Sequence, residues 1–358
     1  MKFDVCIGNP PYQIETAKKE TDNGQKTSKR IFGEFQTETE SIAKNICLIY
    51  PAMGWILGSS KGLKEFGYNQ INDVHLKALK VFKNATDVFP SVGIGDGISI
   101  VLKDMERKRK SFNYTFVNEG KETTIQSSHP GDEVFITDPN QTIIIDKIKK
   151  FVSDNNLCYL KDTIQPQKLF GVESNFVEEN PDKVRLYHNG DILADNEIRL
   201  YANDKAGKAG KTTWFITNRN NIPQGQNLID KYKVIVSSAN LVGDSRDRQL
   251  ELLEPKTAFG RSRICLKAFD TKQEADVFMK YISCDLIRFA FLVTGGSLTV
   301  AGKVVPDILN YKTETIISLT EDFDKSFQKI LDLTNKEVKY IHDFVDTNIY
   351  HYKNNKEA

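Results

Sequence analysis

The chain opens on Met1-Lys-Phe-Asp-Val-Cys-Ile-Gly-Asn-Pro-Pro-Tyr12, and no other stretch restricts the fold as much. Phe3 to Ile7 is a short apolar run rich in strand formers. Gly8-Asn9-Pro10-Pro11 ends it with a permissive φ followed by two residues that lack a donor. Proline fixes its own φ and drives its predecessor to extended backbone, so Asn9 and Pro10 are held with little freedom at a strand end. A planar amide and a backbone carbonyl are thereby presented together, an arrangement suited to the edge of a base. Asn-Pro by itself is ordinary turn punctuation, so the weight falls on the whole string.

The order of elements that follows predicts an α/β fold. A polar stretch, Thr16 to Arg30, reads as a mobile loop entering a helix near Ile31 to Phe35, with Lys18, Lys19, Lys29 and Arg30 as candidates for phosphate; a merely solvated loop is the alternative. The apolar run Asn45 to Pro51 is expected to be the next parallel strand, buried on both faces, and Gly62-Leu-Lys-Glu-Phe66 starts a helical connection. Strand, helix, strand suits a doubly wound sheet, whose ligands sit beyond the carboxyl ends of strands, where Asn9 stands. Val81 to Pro90 and Gly93 to Leu102 predict a strand pair around a turn, and Gly93, Gly95 and Gly97 lack the strand-to-helix setting of a nucleotide loop. Lys103 to Lys110 reads as a solvated hairpin or linker able to touch phosphate, Phe112 to Ile125 as β-rich, and Pro139 with Ile143, Ile144, Ile148, Phe151 and Val152 as a helix bridging two domains.

The second half has short strand candidates at Val184–Tyr187, Lys233–Ser237 and Arg263–Lys267. Between them basic residues alternate with glycines and aromatics: Arg199, Tyr201, Lys205, Lys208, Lys211, Trp214, Arg219, Arg246, Arg248, Arg261 and Arg263. Such loops suit a duplex, arginine to guanine and lysine to phosphate, although Lys205 to Lys211 also reads as a flexible turn. With 49 basic and 48 acidic side chains the net charge carries no polyanion signal, so any nucleic-acid surface must be local. Thr271-Lys-Gln-Glu274, Ser318-Leu-Thr-Glu321 and Thr334-Asn-Lys-Glu337 predict capped helices, the first continued by Ala275, Phe278, Met279, Ile282, Leu286 and Phe289 at helical spacing. Five scattered cysteines and five dispersed histidines point to neither a disulfide framework nor a metal site, and His188 and His342 read as surface or packing residues. No apolar run reaches the length of a membrane span and no leader precedes the first strand, so a cytoplasmic location is expected.

Preceded by its apolar strand and Asp4, Asn9-Pro10-Pro11-Tyr12 resembles motif IV of the amino-methyltransferases that act on adenine. The resemblance implies that Asn9 and the Pro10 carbonyl accept hydrogen bonds from the exocyclic amine, in the rigid turn that Pro11 extends, while Tyr12 stacks on the base. Two acceptors favour a more tetrahedral nitrogen whose lone pair attacks a sulfonium methyl, which is preorganisation without a covalent intermediate. The base must leave the duplex, and stacking on an aromatic is worth roughly 1–3 kcal/mol. Asp87-Val-Phe-Pro90 resembles the late catalytic motif of the same class, which implies that Phe89 packs on the flipped base opposite Tyr12; a core aromatic is the plainer alternative. Phe269 to Ala275, Tyr281 to Phe289 and Pro306 share their rhythm with the TaqI-like C-terminal specificity domain of type IIG and related methylases.

The implied architecture is a partial Rossmann-like methyltransferase sheet followed by an α+β target-recognition domain with C-terminal helices. Residues 1–130 would be the rear of the catalytic domain, 131–156 a linker helix, 157–312 the target-recognition domain and 313–358 the final helices. The implied activity is site-specific DNA adenine-N6 methylation within a restriction-modification system, with double-stranded DNA as partner and S-adenosylmethionine as cofactor. In that family a glycine-rich strand–loop–helix for the cofactor precedes motif IV, whereas eight residues precede Asn9 here and no such loop follows. A split enzyme completed by a second polypeptide or a homo-oligomer, a piece of a longer enzyme, and a catalytically inert DNA-binding specificity subunit all fit. RNA or a protein glutamine as substrate is a third reading, disfavoured by the basic, glycine-punctuated second half.

Overall fold

The computed structural model describes residues 2–16, 27–91, 93–207, 210–238, 250–294, 302–314 and 316–350. The chain divides into two compact units, 1–143 and 144–358, at a point inside one helix.

In the first unit β1 (Phe3–Gly8) leads to β2 (Gln13–Thr16), β3 (Thr27–Arg30), α1 (Phe32–Ile42), β4 (Ala43–Pro51), α2 (Met53–Ile56) and α3 (Lys64–Ile71). Then come β5 (Leu76–Phe82), β6 (Ile98–Asp104), β7 (Ser111–Asn118), β8 (Lys121–Ser128) and α4 (Pro139–Asp154), which carries the boundary. Six strands form a sheet in the order β1-β4-β6-β5-β7-β8. The two apolar runs pair in parallel, from Phe3 beside Ala43 to Gly8 beside Leu48. β6 lies antiparallel to both β4 and β5. β1, β4 and β5 therefore point the same way, and the segments that follow them leave one rim of the sheet.

Three expectations need correction. Burial of β4 on both faces is not found: Ile46, Leu48 and Tyr50 are buried, while Asn45, Cys47 and Ile49 on the other face are half-buried. The covered face owes its packing to α1 to α3, where the Phe32 ring stacks on Tyr50 at 4.9 Å and Phe66 meets Phe32 and Trp55 edge-on. The polar loop is in part a hairpin, since β2 pairs with β3 from Gln13 beside Arg30 to Thr16 beside Thr27; Lys18 and Lys19 lie outside the described residues. Lys103, expected in a solvated run, is fully buried at the end of β6, paired to Glu40 at 2.6 Å and Asp73 at 2.5 Å.

The second unit contains β9 (Cys158–Tyr159), α5 (Phe176–Glu179), β10 (Val184–Leu186), β11 (Glu197–Asn203), β12 (Thr212–Asn218), β13 (Tyr232–Ser237), β14 (Leu250–Leu253), β15 (Thr257–Phe259) and β16 (Arg263–Phe269). α6 (Lys272–Ser283), α7 (Asp285–Leu292), β17 (Pro306–Asp307), α8 (Phe323–Ile330) and α9 (Asn335–Val345) follow. Its sheets are β10-β12-β11-β15, β14-β13-β16 and the pair β17-β9. The strand candidates at Val184, Lys233 and Arg263 are β10, β13 and β16. The periodic run from Ala275 to Phe289 is two helices, broken at Cys284 where ψ is 156°. Ser318 does not cap a helix: α8 starts later, capped by the Asp322 side chain on the Lys325 N–H at 3.1 Å.

Candidate functional site

Asn9 to Tyr12 leave the carboxyl end of β1 and carry the chain to the β2–β3 hairpin. Asn9 and Pro11 are exposed, Pro10 is buried, and Tyr12 is half-buried against the core of the first unit. The Tyr12 carbonyl accepts from the Ile31 N–H at 3.2 Å, which ties the turn to the start of α1. Burial pushes the Tyr12 phenol above its ordinary pKa, and the Asn9 side chain opposes that shift from close by. Tyr12 therefore stays a neutral ring at physiological pH.

The same rim is braced by Arg30 at the end of β3. Its Nη1 donates to Ser60 Oγ at 2.7 Å and pairs with Asp96 Oδ2 at 3.1 Å. Gly54 in α2 makes the brace possible, because a Cβ there would stand 2.4 Å from Arg30 Nη1 and 2.5 Å from Ser60 Oγ. Arg30, expected to meet phosphate, is thus committed to an internal ion pair. A cavity of about 790 Å³ adjoins it, lined by Gln13, Lys29, Ser60, Lys61 and Phe66 among others.

Phe89 is half-buried after the turn that follows β5, with its N–H on the Ala85 carbonyl at 2.8 Å. It shares the rim with Tyr12, but β4 and β6 intervene between β1 and β5, which puts the two strand axes roughly 14 Å apart at ordinary strand spacing. The described residues hold no strand–glycine-loop–helix unit: the β1–α1 passage carries Asn-Pro-Pro-Tyr and the β4–α2 passage carries Pro51-Ala-Met-Gly54. S-adenosylmethionine accordingly has no cradle built from these residues. Among the described residues no group of three His, Cys, Asp or Glu is placed to hold a metal ion, and no helix is long and apolar enough to cross a membrane.

The basic residues of the second unit separate into classes. Lys205 and Lys211 are exposed on the β11–β12 connection. Arg219 is bound to both oxygens of Asp230, each at 2.5 Å, and Arg261 to Glu173 at 2.9 Å. Arg263 departs from the expected surface position: it is 9% exposed, donating to the Tyr201 hydroxyl at 3.0 Å with Glu251 at 3.6 Å. It stands at the start of β16 with its guanidinium over the Tyr201 ring at 5.0 Å, a burial that a basic residue after Gly260-Arg-Ser does not announce. Lys208, Arg246 and Arg248 lie outside the described residues.

Residues 1–89 match the family described as Eco57I restriction-modification methylase. A protein described as an uncharacterized adenine-specific methylase of Mycoplasma pneumoniae (strain ATCC 29342 / M129 / Subtype 1) is 30% identical over 149 residues, 41% of this chain and 34% of that protein. The chain thus spans about a third of the length of this curated relative. Among solved structures, the type IIG restriction endonuclease BpuSI is similar with a TM-score of 0.31 at 9% identity, over 88% of this chain and 49% of that one. The type IIL restriction-modification enzyme MmeI, solved in complex with DNA, has a TM-score of 0.34 at 8% identity, over 98% and 54%. Both likenesses are too low to establish a shared fold.

Proposed function

We propose that this chain is the base-gripping and DNA-reading portion of a cytoplasmic DNA adenine-N6 methyltransferase of a restriction-modification system, acting on a flipped adenine in a specific duplex sequence. The observation that carries the reading is Asn9-Pro10-Pro11-Tyr12 at the carboxyl end of β1, inside the residues that match the methylase family. Asn9 and the Pro10 carbonyl accept from the adenine amine, and Tyr12 stacks on the ring. Buried Pro10 and the tie from Tyr12 to Ile31 favour a turn formed before substrate arrives, so little ordering entropy is lost on binding. Phe89 is proposed for the opposite face of the base.

Duplex contacts are proposed for Lys205, Lys208, Lys211, Arg246 and Arg248 in the target-recognition domain, 157–312. Arg219 and Arg261 join them only by exchanging Asp230 and Glu173 for phosphate, and Arg263 acts through Tyr201. S-adenosylmethionine, the methyl donor, is bound by a part outside these residues, in another polypeptide, another copy or a longer chain, and that part covers the open edge of β1. What supports a covering partner is the exposure of Phe3, Val5 and Ile7, at 57%, 56% and 76%. A catalytically inert specificity subunit is the second reading, favoured by the lack of a glycine-rich cofactor loop among the described residues.

The test is Asn9→Ala at the native locus, with N6-methyladenine in host DNA read by mass spectrometry and sequence context. Methylation should vanish at one sequence while the purified variant keeps its duplex affinity. Unchanged methylation at every sequence would leave the inert reading in possession.

A further inference from the structure

A column of stacked side chains across β11 and β12 holds two arginines with different surroundings. Tyr201 and Trp214 are partners in the antiparallel register, and their rings stack at 4.7 Å between centroids. Arg263 lies over Tyr201 at 5.0 Å and is neutralised by Glu251. Arg199 lies over Trp214 at 5.5 Å and over Tyr187 at 5.9 Å. No carboxylate of the described residues lies within ion-pair distance of Arg199. Glu197, two residues away on the same strand, is occupied by Arg185 at 3.1 Å and the Ala194 N–H at 3.0 Å. The Arg199 charge instead adds to a neighbouring cation, helping burial to lower the pKa of Lys233.

Arg199 is partly exposed, as are Trp214 and Tyr187. A guanidinium against two aromatic faces loses part of its water shell and much of its freedom, yet keeps five donors that want acceptors. The inner arginine of the column has its carboxylate; the outer one has a fork with nothing in it. Lys205 and Lys211, exposed on the connection between the same two strands, add positive charge without that restraint.

We infer that Arg199 reads a base: its guanidinium, restrained by Tyr187 and Trp214, donates two parallel hydrogen bonds to a guanine edge in the duplex. This rests on the DNA reading proposed above and names a residue that specifies sequence within it. Guanine O6 and N7 form the planar acceptor pair that a fixed fork matches, whereas phosphates are met well by lysines on flexible stems.

The test uses a randomised duplex library selected on the purified chain and sequenced, with salt titrations on the winning duplex. Wild type should enrich a sequence containing one strongly preferred guanine. Arg199→Ala should lose that preference by about 10- to 100-fold and leave the other positions alone. Arg199→Lys keeps charge and bulk but not the fork, and should fail at the same position with an unchanged melting curve and salt slope. A Lys205→Ala, Lys211→Ala double variant should weaken all sequences alike and flatten the slope. The inference is overturned if both Arg199 variants keep the guanine preference, or if they weaken every sequence uniformly with a shallower slope, the mark of a phosphate contact. A wild-type chain that enriches no sequence overturns the specific-DNA reading underneath, and Arg199 falls with it; loss of methylation in Asn9→Ala bears on neither outcome.

Discussion

Lys233 is fully buried in β13, its ammonium donating to the carbonyls of Leu228, Ile229 and Lys231 at 3.0, 3.0 and 2.6 Å. Burial lowers its pKa from 10.5 to about 8. Between those values the unfolded chain holds the proton that the folded chain has released, so this lysine makes stability rise with pH across that window. Below pH 8 both states are protonated and the contribution is flat. Linkage bounds the gain at roughly 3 kcal/mol, and the three carbonyls, which favour the ammonium, reduce it. Urea titrations from pH 7.5 to 10.5 should therefore show wild type gaining stability relative to Lys233→Met; a constant difference would mean the lysine does not titrate there. Lys103 is the opposite case, a buried ammonium with two carboxylates, and Lys103→Met should cost about 3–5 kcal/mol by stranding Glu40 and Asp73. Neither buried lysine was legible in the chain. A sequence displays a charge, but the acceptors of Lys103 come from α1 and from the residues after α3, and those of Lys233 are backbone carbonyls of the turn just before its own strand, which no side-chain pattern marks as acceptors.

At the level of elements, local chemistry was readable wherever the signal and its target lie within one turn. Thr334 is a full capping box, its hydroxyl accepting from the Glu337 N–H and its own N–H donating to Glu337 at 2.7 Å. Ser318 has the same spelling and no helix to cap; it donates to Glu314 instead. Thr334→Ala should lower stability by about 1 kcal/mol, while Ser318→Ala should stay within about 0.5 kcal/mol, both measured by thermal or urea denaturation. The break between α6 and α7 has a tertiary cause. α7 has no side-chain cap of its own, and the Asp324 carboxylate from α8 accepts the N–H groups of Asp285 and Leu286, each at 3.0 Å. Asp324→Ala should cost roughly 1–3 kcal/mol by orphaning both donors. The apolar period runs straight through Cys284 because each helix buries its own apolar residues, Ala275, Phe278 and Ile282 in α6 and Leu286 and Phe289 in α7, and periodicity records burial without recording a bend.

Across the whole molecule the two ends of the six-stranded sheet are handled differently. β8 closes one end with Lys121-Glu-Thr-Thr124, a polar and charged edge, whereas β1 leaves Phe3, Val5 and Ile7 in solvent at the other. An apolar open edge favours pairing with another chain. Val5→Lys with Ile7→Lys should abolish concentration-dependent association in sedimentation runs and leave the melting temperature unchanged, since these side chains contribute little to the folded chain's own core. An already monomeric wild type at high concentration would show that copies of this chain do not cover the edge.

By itself the sequence determined the opening strand, its rigid Asn9–Tyr12 end, the parallel partner at Asn45 to Pro51 and the strands at Val184, Lys233 and Arg263. These depend on short-range sterics and on alternation along one segment, which are written locally. Only the tertiary structure decided that β4 is covered on one face, that Arg30, Arg219, Arg261 and Arg263 are committed to internal carboxylates, and that Arg199 is not. The reason is that an arginine's availability depends on which acids the fold brings within 4 Å, and those acids lie from 11 to 88 residues away along the chain.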